Sequence, residues 1–216
     1  MIGRPRAHHR LTDSTNERAR ELASRGAPHG TLITADEQTA GRGRQGREWV
    51  AAPGASLLLS LVLRSPTDAL PLAAAVAVCE ALPVEAAIKW PNDIWVDRRK
   101  VAGILVEARP QEGWAVVGVG VNVHGAPAIE HVTSLGSAIG TEELLGRLLL
   151  AFDAWLTRPL PEVLAAWRSR DALLGETVRW QNGSGKAVGI DESGALLVET
   201  GSGVVALDAG EVHLQR

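Results

Sequence analysis

The sequence predicts an α+β fold, in which a mixed β-sheet with helices packed on one side is followed by a small C-terminal β-barrel. Two observations support this prediction. Up to about residue 173, apolar segments of strand length are interspersed with segments that have the length and periodicity of helices. After Gly175, short strands separated by Gly, Ser and Asp turns run to the end, as expected of a barrel of about five strands. The expected domains are therefore residues 1–173 and 174–216.

Four helices are expected. Ser14 or Thr15 is a suitable N-cap for a short amphipathic helix over residues 16–23. The alanine-rich, apolar segment over residues 70–82 is predicted to be a buried helix. Two further helices are predicted at about 141–156 and 161–171.

The strands are predicted from short apolar, β-rich runs that are bounded by turn residues. Asp97–Arg99 is a charged turn, so the strands before and after it are expected to form a hairpin. The predicted strands of the large sheet cover residues 31–35, 56–63, 87–90, 93–96, 100–107 and 114–123.

The composition limits the possible functions. The chain has 216 residues and a formal charge of −3, which argues against a general nucleic-acid or membrane binder. Its single cysteine, Cys79, excludes an internal disulfide framework and fits a reducing cytosol. No apolar run reaches the length of a membrane span, and the first residues lack the apolar core of a signal peptide. We therefore expect a cytoplasmic protein.

A loop rich in glycine and arginine, Gly41–Trp49, is the strongest functional signal and is called the Gly–Arg loop below. It carries Arg42, Arg44 and Arg47. Three like charges in one loop repel one another unless an anion neutralises them, and glycine lets the backbone approach a ligand closely. The loop satisfies the Gly-x-Gly-x-x-Gly pattern, but a proline soon after it leaves no room for the helix that a dinucleotide fold requires. An RNA-binding arginine–glycine segment would be longer and repetitive. We therefore predict a site for an anionic ligand.

Three further motifs follow the loop. Lys89–Ile94 is a strand that breaks at a proline and restarts, and its Asn-Asp pair serves either a ligand or only the local backbone. Lys100–Glu107 begins with a lysine beside a turn, where a solvated lysine is the usual expectation. Its Gly103, inside a strand, indicates close approach of a ligand or of another backbone. Gly118–Asn122 has glycines two apart on one face, and this bare face either accommodates a flat group or serves sheet packing.

Covalent and zinc chemistry are set aside. The chain has no tyrosine to act as a nucleophile. Cys79 lies in a predicted core helix, where a buried and inert thiol is expected. The six histidines show no metal-ligand spacing, so no metal ligand is assigned.

Taken together and in this order, the motifs resemble the bacterial biotin–protein ligase family. The resemblance covers essentially the whole chain. It implies a class II synthetase-like catalytic domain of the biotin–lipoyl ligase type, followed by an SH3-like barrel. Because the sequence begins close to the first helix of the catalytic domain, it resembles the monofunctional type without a DNA-binding domain. The matching residues are Ser14–Asn16, Gln38, Gly41–Trp49, Lys89–Asp93, Lys100–Glu107 and Gly118–Asn122.

The resemblance implies an ATP-dependent reaction in two steps. The biotin carboxylate attacks the α-phosphate of ATP to give biotinyl-5′-AMP and pyrophosphate. A lysine of the biotin carboxyl carrier domain of an acyl-CoA carboxylase then attacks the mixed anhydride. Two anions must be brought together, so fixed positive charges are required and Mg²⁺ is expected. The implied protein binds neither DNA nor membrane and is a monomer or a weak homodimer.

The same resemblance implies the roles of individual residues. Lys100, Arg44 and Asp93 would be catalytic, and Asp93 would orient or deprotonate the acceptor amine. Trp49 either stacks on adenine or anchors the loop. The expected biotin contacts are Ser14, Thr15, Asn16, Gln38, Arg42, Gly43, Arg44, Lys100 and Gly103. The expected ATP or adenylate contacts are Arg44, Arg47, Trp49, Lys89, Asn92 and Asn122.

Two alternatives remain. Lipoate or octanoate ligases and transferases share the catalytic fold, but they bind a linear acyl chain, and the Gly–Arg loop with Lys-Trp-Pro-Asn-Asp is similar to the biotin type. A non-catalytic biotin-binding sensor would not need the nucleotide-side residues Lys89 and Asn122.

Overall fold

The computed structural model describes residues 2–208, 210 and 212–214. Its helices and strands confirm the predicted elements to within a few residues. The helices are α1 (Thr15–Ser24), α2 (Leu70–Ala81), α3 (Thr141–Trp155) and α4 (Leu160–Arg168). The strands are β1 (Arg6–His9), β2 (Leu32–Ala35), β3 (Ser56–Arg64), β4 (Ala87–Lys89), β5 (Asp93–Val96), β6 (Arg99–Arg109), β7 (Trp114–Asn122), β8 (Thr177–Trp180), β9 (Gly183–Ile190), β10 (Leu196–Thr200), β11 (Gly203–Leu207) and β12 (His213–Leu214).

The first seven strands form one mixed sheet in the order β1-β2-β3-β7-β6-β5-β4. Strands β1 and β2 are parallel, and the other neighbours are antiparallel. The edge strand β1 was not predicted. It has four residues and none of them is buried, so it leaves no apolar pattern in the sequence.

Helices lie on both faces of this sheet. Alternate residues of β3, from Leu57 to Leu63, belong to one buried cluster with α2, α3 and α4. On the opposite face, Ala19 and Ala23 of α1 pack against Val62 and Val116. The prediction of helices on one side is therefore correct for α2–α4 and wrong for α1. The short apolar face of α1 consists of two alanines and Leu22, and such a short pattern does not indicate which side of the sheet it covers.

The last five strands form an antiparallel sheet in the order β11-β10-β9-β8-β12. This confirms the small five-stranded unit near the C-terminus. The unit contacts the large sheet beside β4, where Trp90 Nε1 donates a hydrogen bond of 3.0 Å to the Gly194 carbonyl. Arg98 and Glu176 form an ion pair of 2.7 Å across the same boundary. The predicted division between residues 173 and 174 falls in the connection between α4 and β8.

Candidate active site

One face of the large sheet carries a row of directly paired residues that crosses five strands. Leu58 of β3 pairs with Gly120 of β7, and Gly120 pairs with Gly103 of β6. Gly103 pairs with Asp93 of β5, and Asp93 pairs with Lys89 of β4. Directly opposed residues on neighbouring strands project from the same face. Leu58 forms the apolar end of the row, Gly120 and Gly103 leave a depression in its middle, and Asp93 and Lys89 form its charged end. All five residues line one cavity.

The Gly–Arg loop covers this row and brings cationic groups to it. Burial lowers the pKa of Lys89; Asp93 opposes this effect, whereas Lys100 and Arg47 lower the pKa further. Burial also lowers the pKa of Arg44, and the charge of Arg47 adds to the effect. An anionic ligand would favour the charged forms of these groups. The five cationic side chains that line the cavity are Arg42, Arg44, Arg47, Lys89 and Lys100.

Lys100 lies at the centre of the charged end. Its Nζ forms an ion pair of 2.6 Å with Asp93 and lies 5.7 Å from the centroid of the Trp49 ring. The backbone of Lys100 is held by the segment after β7: its N–H donates to the His131 carbonyl (2.7 Å), and its carbonyl accepts from the Thr133 N–H (2.8 Å). This support was not predicted, because residues 123–140 carry no recognisable motif.

Trp49 occupies the depression that the glycines create. A Cβ placed on Gly120 would lie 2.7 Å from Trp49 Cζ2, and one on Gly103 would lie 3.1 Å from Trp49 Cζ3. The flat group against the bare glycine face is therefore this indole, which anchors the Gly–Arg loop to the sheet. Its Nε1 is buried and has no hydrogen-bond partner among the described residues.

A buried polar cluster lies at the apolar end of the row, where α1 begins. The Thr15 N–H and hydroxyl donate to Gln38 Oε1 at 2.7 and 3.0 Å. Asn16 Oδ1 accepts from the Ser60 hydroxyl at 2.6 Å. The close approach of Asn16 also explains why residue 118 is a glycine, since a Cβ at this position would lie 2.8 Å from Asn16 Cγ. Buried polar groups with satisfied hydrogen bonds have a defined orientation, so this end presents fixed donors and acceptors.

Ser60 was not predicted as part of the site. It is fully buried, and its hydroxyl lies within hydrogen-bond distance of both Thr15 and Asn16. A serine in the middle of an otherwise apolar strand is the sequence signal that identifies such a position, since an unpaired buried hydroxyl is costly.

The positive charge of Arg42 is neutralised by carboxylates of the protein itself. It forms ion pairs of 2.9 Å with Glu17 and 3.2 Å with Glu107. No local pattern indicates these partners, which are distant in sequence. Arg42 lines the cavity, but its guanidinium group is directed to these two carboxylates, and its predicted contact with biotin stays a prediction.

The two asparagines of the predicted nucleotide site differ in position. Asn92 lines the cavity, and its Nδ2 donates to the Ile104 carbonyl at 2.8 Å, so it also serves the local backbone. Asn122 is buried and does not line the cavity. Its Oδ1 accepts from Ser56 and its Nδ2 donates to the Thr133 carbonyl. A direct contact of Asn122 with ATP therefore does not follow from its position; it instead supports the segment that holds Lys100.

With the exception of Asn122, the structure brings every predicted site residue to one cavity. These residues are Ser14, Thr15, Asn16, Gln38, Arg42, Gly43, Arg44, Arg47, Trp49, Lys89, Asn92, Asp93, Lys100 and Gly103. Within residues 2–208, 210 and 212–214, no three His, Cys, Asp or Glu side chains converge to hold a metal ion. Over the same residues, no helix is both long and apolar enough to cross a membrane.

The fold and this cavity define an enzyme class that joins a carboxylic acid to a protein. The chain belongs to the biotin/lipoate A/B protein ligase family, which it matches over residues 9–124. Residues 173–214 match the biotin protein ligase C-terminal domain.

The chain is also similar over most of its length to named ligases. The biotin–[acetyl-CoA-carboxylase] ligase of Paracoccus denitrificans is 38% identical over 93% of this chain and 97% of its own length. The bifunctional ligase/repressor BirA of Bacillus subtilis is 35% identical over 99% of this chain and 75% of its own length. Among solved structures, the biotin protein ligase from Aquifex aeolicus in complex with biotin and ATP has a TM-score of 0.84 and 30% identity, with 99% of each chain covered.

Proposed function

We infer that this protein is an ATP-dependent ligase that activates biotin as biotinyl-5′-AMP and transfers it to a lysine of a biotin carboxyl carrier protein. One observation carries the inference. A single cavity combines a buried cluster of fixed donors and acceptors with a glycine-floored, cation-lined row that the Gly–Arg loop covers. The relative from Paracoccus denitrificans, 38% identical, is named a biotin–[acetyl-CoA-carboxylase] ligase, which supports the inference.

The buried polar cluster suits the ring system of biotin. The ureido group of biotin needs paired donors and acceptors in an otherwise apolar slot. Thr15, Asn16 and Gln38 provide side-chain amide and hydroxyl groups there, and Ser60 fixes Asn16 from the sheet. We propose that the biotin ring binds at this end of the row and that its carboxylate is directed toward Lys100.

The charged end of the row suits the phosphates of ATP. Arg44, Arg47, Lys89 and Lys100 surround the space above the glycines. Cations fixed in this way stabilise the negative charge that develops as a carboxylate attacks a phosphorus atom. Mg²⁺ is proposed as the counter-ion that arrives with the nucleotide. Such an ion would be held largely by phosphate oxygens and water, which is compatible with the absence of a metal-binding cluster among the described residues.

The ion pair between Asp93 and Lys100 explains how Asp93 has one role during biotin activation and another during transfer to the acceptor lysine. In this structure Lys100 Nζ lies 2.6 Å from Asp93 Oδ1, so the two charges neutralise each other. When Lys100 turns to the carboxylate or the phosphoryl oxygens, Asp93 loses this partner. The Asp93 carboxylate is then available to orient the acceptor lysine and to accept its proton, because a lysine is protonated at neutral pH and attacks only as the free amine.

Location and partners remain proposals. A cytoplasmic location fits the buried free thiol of Cys79. The carboxyl carrier domain is the expected macromolecular partner, and a monomer or weak homodimer without DNA or membrane binding is expected. The division into residues 1–173 and 174–216 remains a proposal as well.

Exchange of labelled pyrophosphate into ATP tests this function, with biotin, lipoate and octanoate supplied separately. We expect exchange with biotin alone, followed by transfer of biotin to a carrier domain. Exchange with lipoate or octanoate but not with biotin would identify the other branch of the family. Tight binding of biotin without exchange would indicate a sensor and would contradict the proposal.

A further inference from the structure

A cluster of charged side chains joins the outer end of the Gly–Arg loop to α1 and β6. Arg42 Nη1 lies 2.9 Å from Glu17 Oε2, and Arg42 Nη2 lies 3.2 Å from Glu107 Oε1. Arg20 is shared, at 3.0 Å from Glu17 and 3.7 Å from Glu107. Of these four residues only Arg42 lines the cavity, and the reaction described above assigns no role to Glu17, Arg20 or Glu107.

The two oxygens of Glu107 have different partners. Oε1 faces Arg42 of the loop, whereas Oε2 accepts a hydrogen bond of 2.9 Å from Asn16 Nδ2. Asn16 is the buried residue whose other amide atom is held by Ser60. The backbone of Glu107 is fixed by its pairing with Val116 in the middle of the sheet.

We propose that Glu107 is the positioning residue that couples closure of the Gly–Arg loop to the biotin end of the cavity. The inference rests on the proposed function and goes further in naming what holds the loop closed. One oxygen of the Glu107 carboxylate contacts Arg42 of the loop and the other contacts Asn16 of the pocket. A shift of the loop therefore changes the orientation of the carboxylate and with it the position of Asn16. With Arg42 in place, Glu107 is drawn toward a fixed orientation in which Asn16 keeps its donor on the carboxylate and its acceptor on Ser60.

Two variants distinguish the interactions made by the two carboxylate oxygens of Glu107. Glu107→Gln retains a carbonyl oxygen that accepts from Asn16 but removes the charge that attracts Arg42. Glu107→Ala removes both interactions. An ion pair of this exposure contributes at most about 1 kcal/mol, which corresponds to about a two- to five-fold change in an equilibrium constant. The matched control is Glu143→Gln, which removes an ion pair of 3.0 Å with Arg147 on α3, away from the cavity.

Limited trypsin digestion measures loop closure directly, because Arg44 and Arg47 are cleavage sites within the loop. We expect Glu107→Gln to raise the rate of cleavage after these residues, and the rate of biotinyl-5′-AMP release, by about two- to five-fold. If the loop and the pocket are coupled through Glu107, the KM for biotin should rise by about two- to five-fold in Glu107→Gln and should rise further in Glu107→Ala, which also loses the contact with Asn16. The control variant should match the wild type in all three measurements.

A double-mutant cycle with Arg42→Gln tests whether Glu107 acts through Arg42. We expect Glu107→Gln to have no further effect on cleavage or release in the Arg42→Gln background. An equal effect in both backgrounds would overturn the proposal, as would wild-type rates in the single variant. If the wild-type protein shows no biotin-dependent exchange of pyrophosphate into ATP, both the proposed function and the proposed coupling of the loop to the biotin end are wrong. An active wild type with an unaffected Glu107→Gln variant would overturn this inference alone.

Discussion

Gly118→Ala is expected to disturb the biotin end of the cavity without changing any charged group. The new Cβ would lie 2.8 Å from Asn16 Cγ, which is closer than such atoms approach in folded proteins. Asn16 cannot move aside freely, because Ser60 and Glu107 hold its two amide atoms at 2.6 and 2.9 Å. The substitution must therefore break one or both hydrogen bonds or shift β7.

The magnitude follows from these two contacts. A neutral hydrogen bond contributes about 1 kcal/mol and one to a charged group about 1.5–3 kcal/mol. Loss of both predicts a decrease of about 2.5–4 kcal/mol in the free energy of unfolding. Urea unfolding of the ligand-free protein measures this decrease. The KM for biotin in pyrophosphate exchange should rise strongly, since Asn16 no longer presents its amide in the same direction.

Gly146→Ala is the matched control. Gly146 lies within α3, and no atom is found within 4 Å of a Cβ placed there. Replacement of a helical glycine by alanine should stabilise the protein by about 0.5–1 kcal/mol and leave the KM for biotin unchanged. If Gly118→Ala unfolds within about 0.5 kcal/mol of the wild type and binds biotin normally, the close approach of Asn16 to β7 is not required and the reasoning fails.

Four further predictions concern the charged end and the core. Gly120→Ala should displace the Trp49 ring, so adenylate should dissociate faster while the KM for biotin changes little; an unchanged dissociation rate would contradict the anchoring role. Lys100→Met should raise the barrier to adenylate formation by about 2–4 kcal/mol, seen as slower pyrophosphate exchange, and near-normal exchange would refute the role. Because burial lowers the pKa of Lys89, its charge is lost at a lower pH than that of an ordinary lysine. The KM for ATP should therefore rise on the alkaline side, and Lys89→Arg should move that rise to higher pH. Burial raises the pKa of the Cys79 thiol to about 12, so alkylation near neutral pH should be slow and should accelerate only on unfolding in urea; rapid alkylation of the native protein would show that α2 opens locally.

The sequence was informative where chemistry is local. The Gly–Arg loop and the lysines of the next two motifs indicated an anion site because unusual residue types are concentrated there. The apolar strands were recognised for the same reason, since each carries its signal within a few residues. The structure brings these segments to one cavity, and the individual roles remain proposals.

Features that depend on distant pairing were not visible in the sequence. Arg42 finds its carboxylates on α1 and β6, and nothing near it in sequence indicates them. The face covered by α1 depends on strand order, and β1 gains its pairing only from β2. Asn122 was assigned from its motif, but residue type alone does not distinguish a ligand contact from a buried support.

The cross-strand row limits how this site changes between related proteins. Side chains alternate along a strand, so one residue inserted early in β7 would replace Gly118 and Gly120 with Val117 and Val119 on the cavity face. Branched side chains would then fill the space that the Trp49 ring and the ligand require. A one-residue insertion or deletion that shifts the register of β7 is therefore expected to block the site instead of changing its acyl specificity. New specificity is expected to come from substitutions at fixed positions, or from changes in the part of the Gly–Arg loop that precedes its Trp49 anchor.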